Sequence, residues 1–170
     1  MNGGRIMLVS IGLSAAGLVG IVAQEGYSDT AIIPVKGDVA TIGFGSTTGV
    51  KLGDKTTPPK ALARALTDAQ KYEGALKRCV TVPLRQNEYD AYVSLAYNVG
   101  PAAFCGSTLV KKLNASDYPG ACAEILRWKN FQGHDCSKAE YKSLCGGVWT
   151  RRQTEYKQCM GGGSPPGATS

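Results

Sequence analysis

The sequence predicts an α+β chain, mainly α-helical, in which a small β-hairpin lobe and a helical lobe face each other across a cleft. Two observations carry the prediction. A polar, glycine-rich stretch from Gly37 to Thr47 follows Glu25-Gly26 and reads as a hairpin, and the chain beyond it places apolar residues at helical spacing. A length of 170 residues suits one compact domain after allowing for an N-terminal segment and a tail.

The first element is an uncharged run. Residues 6 to 23 contain no charged side chain, with Arg5 just before them and Glu25 just after. As one helix, eighteen residues would reach about 27 Å, barely the thickness of a hydrocarbon core. Ser10, Gly12, Ser14, Gly17 and Gly20 interrupt the apolar run, so it is a weak span that could leave a bilayer. A cleaved signal peptide is one alternative, but cleavage after Ala23 would remove most of the helix that should present Glu25; a permanent anchor or a buried core helix is the other. The small residues Gly12, Ala15, Ala16 and Gly20 could pack one helix face against the rest of the chain.

Helices should follow the hairpin. Thr57-Pro58-Pro59 reads as a helix start, and Leu62, Leu66, Ala69 and Leu76 form a stripe up to Cys79. Pro83 opens a second pattern through Tyr89, Tyr92, Val93, Ala96 and Tyr97, stopped by Gly100. Ser107 is placed to cap a short helix over Leu109, Val110 and Leu113, and Asp117 with Pro119 to start one carrying Ile125, Leu126 and Trp128. Residues 130 to 147 read as a loop, Val148 to Cys159 as the last helix, and residues 161 to 170 as a flexible Gly/Pro-rich tail.

Six cysteines, at positions 79, 105, 122, 136, 145 and 159, all lie outside the uncharged run and fit structural disulfides in an oxidising compartment. The expected set is Cys79-Cys159, joining the end of one helix to the last, with Cys105-Cys122 and Cys136-Cys145 closing local loops. No metal site is expected, since there is no CxxC and His134 is the only histidine; no cofactor is expected either. The net charge of +6 favours anionic surfaces, but the basic residues are scattered and no nucleic-acid-binding motif is present.

The chemistry points to glycoside cleavage. Cutting a glycosidic bond needs one carboxylic acid to protonate the leaving oxygen and, in hydrolysis, a second carboxylate to activate water or stabilise the transition state. Glu25 at a helix end and Asp38 in the hairpin could supply them. Thr41 could orient water, because its hydroxyl both donates and accepts. Asp29, four residues after Glu25, is a second choice for the partner carboxylate, disfavoured because Gly26 should end the helix before it. Tyr27 and Phe44 are placed either to stack on sugars or to pack the lobes together, and Asn98, Ser107 and Thr108 are potential sugar contacts.

Glu25-Gly26, Thr41-Ile42-Gly43-Phe44-Gly45, Tyr97-Asn98-Val99-Gly100 and Arg151-Arg152 together resemble the bacteriophage T4 lysozyme family of phage endolysins, over roughly Ala23 to Cys159. The resemblance implies a lysozyme-like fold and muramidase activity through a Glu/Asp/Thr triad, with Arg151 as the partner of Glu25. The chain departs from the usual pattern at the middle member. Pro34 stands where the family carries its Asp, and Thr41 falls one residue late, so Asp38 is assigned the carboxylate role. A solvated arginine pair is the alternative reading of Arg151 and Arg152.

The expected function is therefore a phage endolysin that cleaves between N-acetylmuramic acid and N-acetylglucosamine in peptidoglycan and lyses the host. The same resemblance makes residues 1–24 a signal-anchor-release segment, holding the enzyme inactive at the host inner membrane and then freeing it, as a monomer, into the periplasm. In that reading the segment becomes the first helix of a catalytic domain spanning 25–160. Two rivals are a lytic transglycosylase, which needs one acid/base residue, and a non-catalytic, membrane-tethered wall-binding or lysis factor.

Overall fold

The computed structural model describes residues 4–34 and 37–162; the expected tail from residue 163 onward lies outside them. Helix α1 (Ala15–Glu25) leads into a hairpin of β1 (Ser28–Ile32) and β2 (Thr41–Gly43), and α2 (Pro58–Cys79) carries the chain away from it. Helices α3 (Gln86–Val99), α4 (Pro101–Cys105), α5 (Thr108–Asn114) and α6 (Tyr118–Glu124) follow. A two-residue ribbon, β3 (Asn130–Phe131) and β4 (His134–Asp135), precedes α7 (Lys142–Cys159).

The centre of the fold is α3, where every residue from Glu88 to Ala96 is buried, as a helix must be when other elements cover it on all sides. Its start is fixed by a capping box in which Glu88 accepts from the Arg85 backbone N–H at 2.8 Å. That places the helix start three residues after Pro83. Around it Leu8, Ile11, Ile21, Leu76, Phe104, Leu109, Leu113 and Ile125 close one apolar core.

The uncharged N-terminal run is not one helix. Residues Leu8–Ser10 form a single 3₁₀ turn and Ile6 pairs with Leu84, while α1 spans only eleven residues. Ser14 accounts for the late start, because its hydroxyl accepts from the Gly17 N–H and caps the helix. No helix among the described residues is long and apolar enough to cross a membrane. The close-packing glycine is Gly17, where an added Cβ would sit 2.8 Å from Asp90 Cγ; Ala15 and Ala16 are exposed and Gly20 has open space around it.

The hairpin pairs Ser28 with Gly43 and Ile32 with Thr41, with an irregularity between that absorbs the longer β1. Residues 54 to 56 bond to the other side of β1 through Ala31 N–H to Asp54 O and Thr56 N–H to Asp29 O. On α2 the buried positions are Ala61, Ala65, Ala69, Ala75 and Leu76, whereas Leu62 and Leu66 are exposed. The alanine face is the inner one because the backbone approaches closely there: a Cβ on Gly43 would lie 2.7 Å from that of Ala61.

The disulfide expectation is corrected at two of three bonds. Cys79 pairs with Cys105 and Cys122 with Cys159, in place of Cys79-Cys159 and Cys105-Cys122; Cys136 pairs with Cys145. The reason is α4, an element absent from the sequence reading, which brings Cys105 back against the end of α2 with Cα atoms 5.6 Å apart. That leaves the end of α7 against α6, where Cys122 lies 5.7 Å from Cys159. The expected loop of residues 130–147 also contains more order than a loop, since α7 begins at Lys142 and passes a non-helical residue at Cys145. At its far end Gly161 and Gly162 cap α7 by donating to Gln158 O and Lys157 O, so they belong to the helix terminus.

Candidate active site

Glu25 is the last residue of α1, and Gly26 ends the helix with a φ of +69°, a conformation glycine adopts without strain. The carboxylate is thereby held at the rim of the helical lobe, where α7 reaches it. Arg151 Nη1 lies 2.8 Å from Glu25 Oε1, with the two side chains only 14% and 20% exposed. Arg151 Nη2 also donates to the Gln24 carbonyl at 2.9 Å. From the hairpin side Gly45 closes on the same carboxylate, and a Cβ there would be 3.1 Å from Glu25 Oε2.

Glu25 sits between two cavities. One, of about 580 Å³, is lined by Glu25, Asn98, Val148, Thr150, Arg151 and Thr154 among others. The other, of about 250 Å³, is lined by Glu25, Gly45, Thr47, Asp68, Tyr72, Tyr97 and Asn98 among others. Asn98 borders both, and the Tyr97 hydroxyl donates to Phe44 O at 3.1 Å, tying the helical lobe to the hairpin. Burial raises the Tyr97 phenol above the ordinary tyrosine range, so it stays a donor.

The two hairpin residues stand apart from these cavities. Asp38 is exposed in the turn and accepts from its own neighbour, Val39 N–H, at 2.8 Å; Thr41, the first residue of β2, donates to Val39 O at 3.3 Å. Neither lines either cavity around Glu25. Asp29 lies on β1, exposed, with Thr30 Oγ1 donating to it. Tyr27 and Phe44 face each other with ring centroids 5.3 Å apart. Ser107 and Thr108 line a separate hollow of about 470 Å³ with Glu124, Arg127 and Trp128.

Two features escaped the sequence. Asp68 on α2 shares the smaller cavity with Glu25 and accepts from Ser46 Oγ at 2.7 Å and Lys71 Nζ at 2.9 Å. The spacing of Asp68 and Tyr72, one helical turn apart, was the available signal. The second is the unlike fate of the arginine pair. Arg152 is fully buried, its Nε 3.0 Å from Glu155 Oε2 and its Nη2 donating to Glu155 Oε1 at 3.1 Å, and Ser94 donates to the same Oε1 at 2.8 Å. Neither arginine is a solvated surface charge.

A profile of the phage lysozyme family matches residues 22–155. The chain is 36% identical over 146 residues to the SAR-endolysin of Pseudomonas phage phiKMV, covering 86% of this chain and 87% of that one. Among solved structures, the endolysin of Escherichia coli O157:H7 phage FAHEc1 superposes with a TM-score of 0.75 at 30% identity, over 89% of this chain and 94% of that one. The fold also resembles the active form of P1 phage endolysin, with a TM-score of 0.70 at 19% identity over 94% of this chain and 97% of that one. Its likeness to the secreted inactive form of the same enzyme is lower, 0.53 at 17% identity over 88% and 96%.

Proposed function

The chain belongs to the phage lysozyme family, and from that membership we propose that Glu25, held by Arg151 between the two cavities, is the acid of a glycan-cleaving site. The protein is a phage endolysin with lysozyme activity, degrading the peptidoglycan of the host wall. Its bond is the β-1,4 link between N-acetylmuramic acid and N-acetylglucosamine. The observation that carries the site assignment is the half-buried Glu25 carboxylate at the junction of both cavities.

In the reaction Glu25 delivers its proton to the leaving glycosidic oxygen as the C–O bond breaks. Arg151 keeps the carboxyl oriented and stabilises the carboxylate that remains. On the opposite face of the ring Thr41 holds the attacking water and Asp38 accepts its proton as the water oxygen bonds to the anomeric carbon, an inverting arrangement that requires carboxyl groups roughly 6.5–9.5 Å apart. What supports them is the hairpin itself: Asp38 is in its turn and Thr41 on its second strand, with Thr41-Ile42-Gly43 running directly into Phe44 and Gly45, the latter lining the smaller cavity beside Glu25. Asn98, at the border of both cavities, contacts the glycan, while Tyr27 and Phe44 brace the hairpin beside it.

We read residues 1–24 as the exported anchor of the tethered enzyme and residues 25–160 as the catalytic domain, working as a monomer in the periplasm after release. The uncharged run of residues 6 to 23 and the similarity to a SAR-endolysin support this. Clearing of purified peptidoglycan by wild type, Glu25→Gln, Asp38→Asn and Thr41→Ala, with mass spectrometry of the products, tests the site. Reducing-end muropeptides from wild type and loss of clearing in all three variants are expected. Because Asp38 and Thr41 do not line the Glu25 cavities, the competing outcome is specific: 1,6-anhydro products with Asp38→Asn still active would make the enzyme a one-carboxylate lytic transglycosylase. Partition of the wild type between membrane and periplasm over time tests the anchor.

A further inference from the structure

The N-terminal segment ahead of α1 is held by three carboxylates that the reaction does not use. Asp90 on α3 accepts from Ser14 N–H at 3.0 Å and from Ser14 Oγ at 2.6 Å. Glu73 on α2 accepts from Leu13 N–H at 2.7 Å and from the Tyr89 hydroxyl at 2.8 Å. Glu88 takes Arg5 through both oxygens, at 2.6 and 3.1 Å, while the guanidinium lies 3.5 Å over the Tyr118 ring. Gln86 adds a bridge, donating to Gly12 O and to Asp90 Oδ1, both at 2.8 Å. Glu88 and Asp90 are 3% and 4% exposed, so these donors replace the water that the carboxylates would otherwise bind.

We propose that Asp90, with Glu73 and Glu88, is an anchor for residues 5–14 of this chain, and that this anchor positions Glu25 from the opposite end of α1. Apolar packing alone fixes α1 poorly, because Gly17 and Ile21 are its only buried residues. Its axial register is set instead at its first turn. Ser14 caps the helix by accepting from Gly17 N–H while donating to Asp90, and Gly17 leaves room for the Asp90 carboxyl that any Cβ would strike. A slip of one residue would shift Glu25 about 1.5 Å along the axis relative to Arg151. A full displacement of that size can cost an enzyme about a hundredfold in rate, so a register that is loosened without slipping a whole residue should cost about tenfold. Asp90 is therefore a positioning residue, acting through Ser14 and the length of α1.

The proposal rests on Glu25 being the acid, and the experiment separates the two. Purified full-length Ser14→Ala, Asp90→Asn, the double variant and Glu25→Gln are compared by steady-state kinetics on peptidoglycan fragments and by hydrogen exchange. In the Ser14 and Asp90 variants kcat should fall about tenfold with KM within about twofold, because the lost contact acts only on the reacting geometry. Exchange should quicken in residues 15–25 while α3, α5 and α6 keep their protection, and the double variant should lose no more than the worse single one. Faster exchange in α1 with wild-type kcat, or lost protection throughout α3, overturns the positioning role. A Glu25→Gln protein that still cleaves overturns the acid assignment itself, whatever the Asp90 variants do.

Discussion

Arg151 grips Glu25 and the backbone before it with one guanidinium: Nη1 lies 2.8 Å from the carboxylate and Nη2 donates to Gln24 O at 2.9 Å. The Gln24 carbonyl is among the last of α1 and has no helical partner beyond it, so the cation also meets the negative end of the helix. The fork geometry matters as much as the charge.

Arg151→Lys should therefore keep an ion pair but lose the second contact, slowing wall clearing by about tenfold, while Arg151→Met should lose about a hundredfold, roughly 2.7 kcal/mol of barrier. Initial clearing rates at fixed enzyme concentration decide it. Equal rates for Arg151→Lys and wild type would show that only the charge counts.

Gly45 and Gly49 form a matched pair. Both have positive φ, +82° and +70°, but a Cβ on Gly45 would sit 3.1 Å from Glu25 Oε2 whereas Gly49 has open space. Alanine at either site should cost about 1–2 kcal/mol from the left-handed backbone, lowering Tm by roughly 2–8 °C in a chain of this size. Only Gly45→Ala should also slow clearing, because it pushes on the carboxylate. If both variants lose activity in parallel, the Gly45 contact with Glu25 has no catalytic weight.

The bonds Cys79–Cys105 and Cys122–Cys159 close loops with separations of 26 and 37 residues. By loop-closure entropy each stabilises the fold by about 3–4 kcal/mol, and Cys136–Cys145, with a separation of 9, by somewhat less. Non-reducing peptide mapping should recover these three pairs and no Cys79–Cys159 peptide. Cys136→Ser with Cys145→Ser should reduce stability least of the three double replacements, read as unfolding midpoints in urea.

What the sequence made legible were the features with local causes. Thr57-Pro58-Pro59 marks the start of α2, Ser107 and Asp117 cap α5 and α6 through their own side chains, and Gly100 ends α3. Glu25 and Arg151 were placed together by the family resemblance, since a pair separated by the whole chain has no local signal. What stayed hidden depended on packing. Hydropathy favours Leu62 and Leu66 as the inner stripe of α2, yet close approach to Gly43 selects Ala61 and Ala65. The disulfide pairing turned on the five-residue helix α4, too short for any periodicity to reveal. An uncharged run reads as one helix until Ser14 meets Asp90, and nothing in the run itself announces that contact.

Behind Arg151 on the same helix, Glu155 and Arg152 are both buried, with Ser94 donating to Glu155. Burial pushes the Glu155 carboxyl up to about 7 from its usual 4.5, against the pull of Arg152, the Ser94 hydrogen bond and the Arg151 charge, with Glu25 adding a small push upward. The folded chain thus holds this proton more tightly than the unfolded chain does. The stability it contributes is complete below about pH 4.5, is lost as pH climbs to about 7, and changes no further above that. Thermal unfolding of wild type and Glu155→Gln across pH 4 to 8 tests this, with the difference between the two curves as the readout because other carboxylates titrate in both. Wild type should lose Tm relative to the variant between pH 4.5 and 7, and parallel curves would mean that Glu155 stays ionised throughout, held by Arg152.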